Sequence, residues 1–159
     1  RRSAGDNMIL DRLSLNEIQE FRNDLFHKQA DANKKLNNTF LDNKEIPSAK
    51  ELFNNINYEV ISLDYTLDPS KSLIEIKKEI YDLIKSFFVN NIKNKRFLGN
   101  FSYVLEKNNR QTLVHLIMDY FDWACIDLTG IVLGSSYVPN STECPTTDNI
   151  KVRFCIFIK

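Results

Sequence analysis

The chain has 159 residues, 43% of them apolar, which is enough for one domain with a sizeable core. Its 21 basic and 21 acidic residues balance to a formal net charge of zero, so no overall field attracts nucleic acid or anionic lipid. No apolar run is long enough for a membrane span, and no signal peptide is recognisable at the start. We therefore expect an intracellular protein.

The first predicted element is an N-terminal helix. Ser14 and Glu17 form an S-x-x-E capping box, in which each side chain bonds a free backbone N–H of the first turn. Residues then recur at alternating spacings of three and four, the period of a coiled-coil seam: Leu15, Ile18, Arg22, Leu25, Gln29, Ala32 and Leu36. Because Arg22 and Gln29 interrupt the seam, two interpretations stay open. The helix is either the end of a longer coiled coil or an amphipathic helix packed on its own domain.

The chain divides into four predicted segments. Residues 1–13 are a flexible or cloning-derived start, 14–36 the helix, 37–57 an asparagine-rich connector, and 58–159 an α+β globular domain. Since the sequence begins without methionine, we expect an excised piece of a longer protein.

The globular part begins with a strand and a long helix. The run from Tyr58 to Leu67 alternates and is rich in β-prone residues. A second capping box, Ser72 with Glu75, then opens a helix with an apolar face wide enough to predict burial. Basic residues lie at its C-terminal end: Lys93, Lys95 and Arg96. They form a candidate anion patch, although charged residues at a solvated helix end are the commoner explanation.

Beyond this helix the pattern changes to period two. Asn108 and Asn109 lie between two β-prone runs, which favours a hairpin turn. Two further β-rich runs follow, and the second of them is residues 150–159. The predicted fold is therefore α+β: a coiled-coil-like helix leading into an antiparallel sheet of about five strands, packed by one long helix.

The stretch LVHLIMDYFDW, residues 113–123, holds the candidate catalytic or metal-binding residues His115, Asp119 and Asp122. On a helix their spacing places all three on one stripe. On a strand, His115 and Asp119 are about 13 Å apart and share nothing. The asparagine turn before the stretch, its aromatic content and the lack of an N-cap favour a strand, with the helix left open. We therefore predict no metal site, no cofactor and no catalytic residues here.

Other catalytic motifs are missing from the sequence. Cys125, Cys144 and Cys155 include no C-x-x-C pair, and His115 with Cys125 lacks the surroundings of a nucleophile and base. The four glycines make neither a dinucleotide-binding nor a phosphate-binding loop. We predict reduced cysteines and a protein that is not an enzyme.

The last strand predicts assembly. Its apolar residues fall on both faces, so it must lie inside a sheet or beneath a second subunit, because a free edge of this kind aggregates. The predicted homodimer interface combines this strand with the helix seam: Leu15, Ile18, Leu25, Ala32, Leu36, Phe154, Ile156 and Ile158.

A heptad-bearing helix that leads into a small α+β domain resembles the C-terminal dimerisation domains of coiled-coil scaffold proteins in yeast spindle pole bodies and kinetochores. The resemblance implies a non-catalytic homodimer that anchors a longer coiled coil in a cytoplasmic or nuclear cytoskeletal assembly, with other scaffold proteins as partners and no membrane contact. The alternative is a monomeric module that binds a protein or nucleic acid, for example a viral host-interaction domain.

Overall fold

In the described part of the chain, helices lie on both faces of a three-stranded antiparallel sheet. The computed structural model describes residues 15–92, 95–105, 111–130 and 150–159. Its elements are, in chain order, α1 (Leu15–Leu41), α2 (Ala49–Leu52), β1 (Glu59–Leu67), α3 (Leu73–Asn91), β2 (Phe97–Val104), α4 (Gln111–Thr129) and β3 (Ile150–Ile158). The described strands have the order β1-β3-β2. None of the described helices combines the length and apolarity needed to cross a bilayer.

The α+β class agrees with the prediction, but the sheet of about five strands is wrong. The described sheet has three strands, and residues 111–129, predicted to contribute to two of the missing strands, form the helix α4. Four residues at helical spacing are buried along α4: Ile117, Phe121, Ala124 and Leu128. The same segment also alternates with period two, so its own pattern fits both structures, and packing against α3 selects the helix. The predicted Asn108–Asn109 turn lies outside the described residues.

The strand β3 is the middle of the described sheet. It pairs with β1 over its whole length, from Glu59 opposite Ile158 to Leu67 opposite Ile150. Alternate side chains pack against α3 and α4: Ile150, Val152, Phe154, Ile156 and Ile158. On this face the Phe121 ring stacks on Phe154 with centroids 4.3 Å apart. Cys155 and Phe157 lie on the opposite face, so both apolar faces of β3 are covered within one chain.

The helix α1 covers this second face. Leu25, Ala32 and Leu36 are buried there in one cluster with α2 and Phe157. Gln29, a polar residue of the seam, donates from its side-chain amide to the carbonyl oxygen of Asn100 on β2 at 2.9 Å. A polar seam residue thus satisfies a carbonyl of a strand at the edge of the described sheet.

The helix α3 forms as its sequence predicts. The Ser72 hydroxyl accepts from the Glu75 N–H at 3.2 Å, and the Glu75 carboxylate accepts from the Ser72 N–H at 3.4 Å. The capping box is therefore complete at this end. One face is fully buried against the sheet and α4: Ile76, Ile80, Ile84 and Phe88.

Candidate functional site

The helix α4 places His115, Asp119 and Asp122 on one stripe. This is the arrangement expected if residues 113–123 form a helix, and not the strand that the sequence favoured. The exposure of the three side chains differs: His115 is exposed, Asp119 in the middle is only 8% exposed, and Asp122 is half-buried. Among the described residues, no three histidine, cysteine or acidic side chains come together in a way that would hold a metal ion.

Two successive hydrogen bonds link Asp122 on α4 to Gln29 on α1 across the sheet. The Asp122 carboxylate accepts a hydrogen bond from the side-chain amide of Asn100, and the main-chain carbonyl of Asn100 accepts one from the Gln29 side chain. Burial raises the pKa of Asp122, and the Asn100 hydrogen bond acts in the opposite direction. Asp122 thus ties α4 to β2, and through β2 to α1, which is a structural role for a residue predicted as a site candidate.

Asp119 has the most perturbed environment on the stripe. Its Oδ2 atom is buried and has no hydrogen-bond partner among the described residues. Burial raises the pKa of this carboxyl to about 6, the neighbouring charge of Asp122 adds to the effect, and His115 opposes it. Asp119 therefore exchanges its proton closer to neutral pH than an ordinary aspartate does.

The described cysteines are poor nucleophiles. Cys125 and Cys155 are buried free thiols, and burial raises the pKa of Cys125 well above its ordinary value and that of Cys155 to about 12. Because the thiolate is the nucleophile, both are chemically quiet near neutral pH. Cys144 lies outside the described residues.

The candidate anion patch is largely neutralised. Lys95 Nζ lies 3.9 Å from Glu59 Oε1, and Arg96 Nη1 lies 3.0 Å from Glu17 Oε2. These two cations therefore have acidic partners from β1 and α1, which weakens their attraction for phosphate. Lys93 lies outside the described residues.

A surface pocket that the sequence did not predict lies beside this ion pair. Its volume is about 320 Å³, and it lies between the first half of α1, the segment before β1 and the end of β3. The lining residues are Glu17, Glu20, Phe21, Asp24, Asn57, Tyr58 and Lys159. We call this cavity the α1 pocket. It combines three carboxylates with two aromatic rings and one ammonium group.

The aromatic wall of the α1 pocket is held rigidly. The rings of Phe21 and Tyr58 meet edge to face with centroids 6.1 Å apart, and Tyr58 also meets the buried Phe157 ring edge to face at 5.8 Å. The Tyr58 hydroxyl donates to Asp24 Oδ2 at 2.7 Å. Burial and the Asp24 carboxylate both raise the pKa of Tyr58, so the phenol stays neutral and remains a donor.

The acidic wall comes from one face of α1. Glu17, Glu20 and Asp24 are spaced i, i+3 and i+7, so they line up beside Phe21. The sequence thus contains half of this site, in the run EIQEF, but gives no sign of what lies opposite. Tyr58 and Lys159 are distant in sequence and reach the pocket only through the folding of the sheet.

Comparisons with known proteins do not identify a relative of this chain. No protein-family model, curated protein or solved structure matches it.

Proposed function

We propose that this chain is a non-catalytic assembly domain that binds another protein through the α1 pocket. The observation that carries the proposal is the lining of that pocket, where two fixed aromatic rings stand next to three carboxylates at the protein surface. Aromatic side chains with a polar group anchor protein interfaces because they offer a large contact area and lose little conformational entropy on binding.

The size of the pocket favours a side chain of a partner over a free small molecule. A volume of about 320 Å³ is at the lower end for ligand pockets, and small-molecule sites bury most of the ligand surface. Here the rim is open, since Glu20 is exposed and Glu17 only half-buried. The pocket therefore suits one or two side chains that project from a larger partner.

The homodimer interface expected from the sequence is not the one we propose. Leu25, Ala32 and Leu36 pack on the chain's own sheet. Phe154, Ile156 and Ile158 lie in the central strand β3. A dimer through these side chains requires α1 to leave the sheet and expose apolar surface, which is costly. The side chains of Leu15 and Ile18 lie outside the described residues. The proposed interface of the assembly domain is therefore the α1 pocket and not the helix seam.

A comparative capture experiment tests this function. The parent chain and two charge reversals are immobilised and exposed to the same cell extract: Glu20→Lys at the pocket rim and Glu45→Lys in the connector beyond the other end of α1. Both glutamates are exposed, so the two variants change the net charge equally. We expect a specific protein retained by the parent and by Glu45→Lys but lost with Glu20→Lys. Retention of the same proteins by all three overturns the proposal.

A further inference from the structure

The described lining of the α1 pocket carries more negative than positive charge. Glu17 is paired with Arg96, and Asp24 accepts the Tyr58 hydroxyl. The Glu20 carboxylate has no hydrogen bond or ion pair within the described parts of the chain. Among the described residues, these three carboxylates lie near two cations, Lys159 in the lining and Arg96 beside it, and the Glu20 carboxylate remains available to a ligand. An uncommitted acceptor beside aromatic rings is the chemistry that recognises a cation with N–H groups.

The chain places one of its own cations at this position. Lys159 Nζ lies 5.1 Å from the centroid of the Phe21 ring, within the range of a cation–π contact. The Lys159 main chain is fixed by two hydrogen bonds with Arg96, of 2.7 and 2.9 Å, while its side chain remains exposed. In the described structure this ammonium forms no ion pair. It is therefore held weakly and is easily displaced.

We infer that the α1 pocket binds a lysine or arginine side chain of a partner protein, and that Lys159 occupies the cation position until the partner replaces it. The inference rests on the proposed function and names the chemistry of its ligand. The incoming cation takes the face of the Phe21 ring from Lys159. Because it enters from outside the chain, it also donates to the free carboxylate of Glu20, which the Lys159 ammonium does not reach. A trimethylated lysine has no N–H group for that bond, so we expect an unmodified cation to bind better.

Four synthetic peptides test the inference. They share the same glycine and serine flanks and differ only at the central residue, which is lysine, arginine, trimethyllysine or norleucine. Binding to the whole chain is followed by the backbone amide NMR signals. We expect the lysine and arginine peptides to shift the signals of Phe21, Tyr58 and Lys159. Norleucine has the length of lysine without its charge, so it should leave these signals in place.

Three variants separate the contributions to binding. Glu20→Gln should weaken binding of the lysine peptide about two- to fivefold, as expected for an exposed ion pair. Lys159→Met keeps the main-chain hydrogen bonds and removes the competing ammonium, so binding should strengthen about two- to fivefold. Glu45→Gln is the matched control and should bind as the parent does.

Several outcomes overturn the inference. These are equal binding of norleucine and lysine, tightest binding of trimethyllysine, no gain in affinity for Lys159→Met, or no response to any peptide. If the peptides fail while Glu20→Lys still abolishes capture of a partner, the cationic ligand is wrong and the protein-binding function stands. If capture is insensitive to Glu20→Lys, the proposed function itself is wrong.

Discussion

Replacing Asp119 with asparagine should stabilise the fold at neutral pH. The carboxyl lies on α4 with 8% of its surface exposed, and its Oδ2 atom has no hydrogen-bond partner among the described residues. At neutral pH the folded protein must keep this group charged in a poorly solvated place beside Asp122, which raises its pKa. Asparagine has nearly the same shape and removes the charge.

The sign and size of the expected stabilisation follow from the pKa of Asp119. Burial moves it from an ordinary 3.8 to about 6, so between these values the folded chain holds a proton that the unfolded chain has lost. The contribution of Asp119 is therefore most favourable below pH 3.8, falls as the pH rises to about 6, and stays low above it. At 1.36 kcal/mol per pKa unit the full difference is about 3 kcal/mol. Two effects reduce the expected gain to about 1–2 kcal/mol. Water near the half-buried Asp122 screens the repulsion between the two carboxylates, and the side-chain amide of the new asparagine has no hydrogen-bond partner.

Urea unfolding followed by circular dichroism measures this gain. The parent, Asp119→Asn and a control, Asp31→Asn on the exposed side of α1, are compared at about pH 4 and about pH 7. The advantage of Asp119→Asn should be clear near pH 7 and mostly absent near pH 4, while Asp31→Asn should follow the parent at both. An equal advantage at both pH values, or none at either, refutes the assignment of a buried charge to Asp119.

Three further predictions concern stability and assembly. Leu25→Asp places a charge in the buried α1 cluster and should lower the unfolding free energy by about 3–5 kcal/mol in urea melts. Light scattering of the parent should give the 18.6 kDa mass of one chain. A parent of twice that mass would favour the dimer instead. Ser72→Ala should cost about 1 kcal/mol through loss of the α3 cap, and an unchanged urea midpoint would contradict that role. Arg153 binds Asp64 across β3 and β1 with two hydrogen bonds of 2.7 and 3.0 Å, so a double-mutant cycle of Arg153→Met and Asp64→Asn should give a coupling energy of about 1 kcal/mol. Strictly additive single effects would show that the pair contributes nothing.

Local sequence motifs predicted the helix and strand positions that depend only on a few neighbouring residues. The capping box of Ser72 and Glu75 places the start of α3, because both partners of that motif lie within one turn. The alternation from Tyr58 to Leu67 marks β1 in the same way. The two-sided apolar pattern of residues 150–158 required cover on both faces, and β3 has it as the central strand of the described sheet.

The state of residues 111–129 was decided by tertiary packing. Their apolar residues satisfy a helical and a strand period together, so the pattern by itself does not choose. Two contacts between α3 and α4 are specific to the helix: the Tyr81 hydroxyl donates to Asp127 Oδ2 at 2.6 Å, and Lys77 Nζ lies 5.9 Å from the Tyr120 ring centroid. The partners in each contact are far apart in the sequence. The tertiary fold therefore stabilises the helix that places Asp119 and Asp122 on one stripe.

The α1 pocket divides in the same way between sequence and tertiary structure. Helical periodicity alone puts Glu17, Glu20 and Asp24 on one face of α1, since that geometry depends only on spacing along the chain. Which residues face them depends on how α1 crosses the sheet and on the register of β3. Both are set by packing between residues that are far apart in the sequence, such as Phe21 and Lys159. The sequence by itself therefore determined an acidic helix face, and only the tertiary structure placed Tyr58 and Lys159 opposite it to make a pocket.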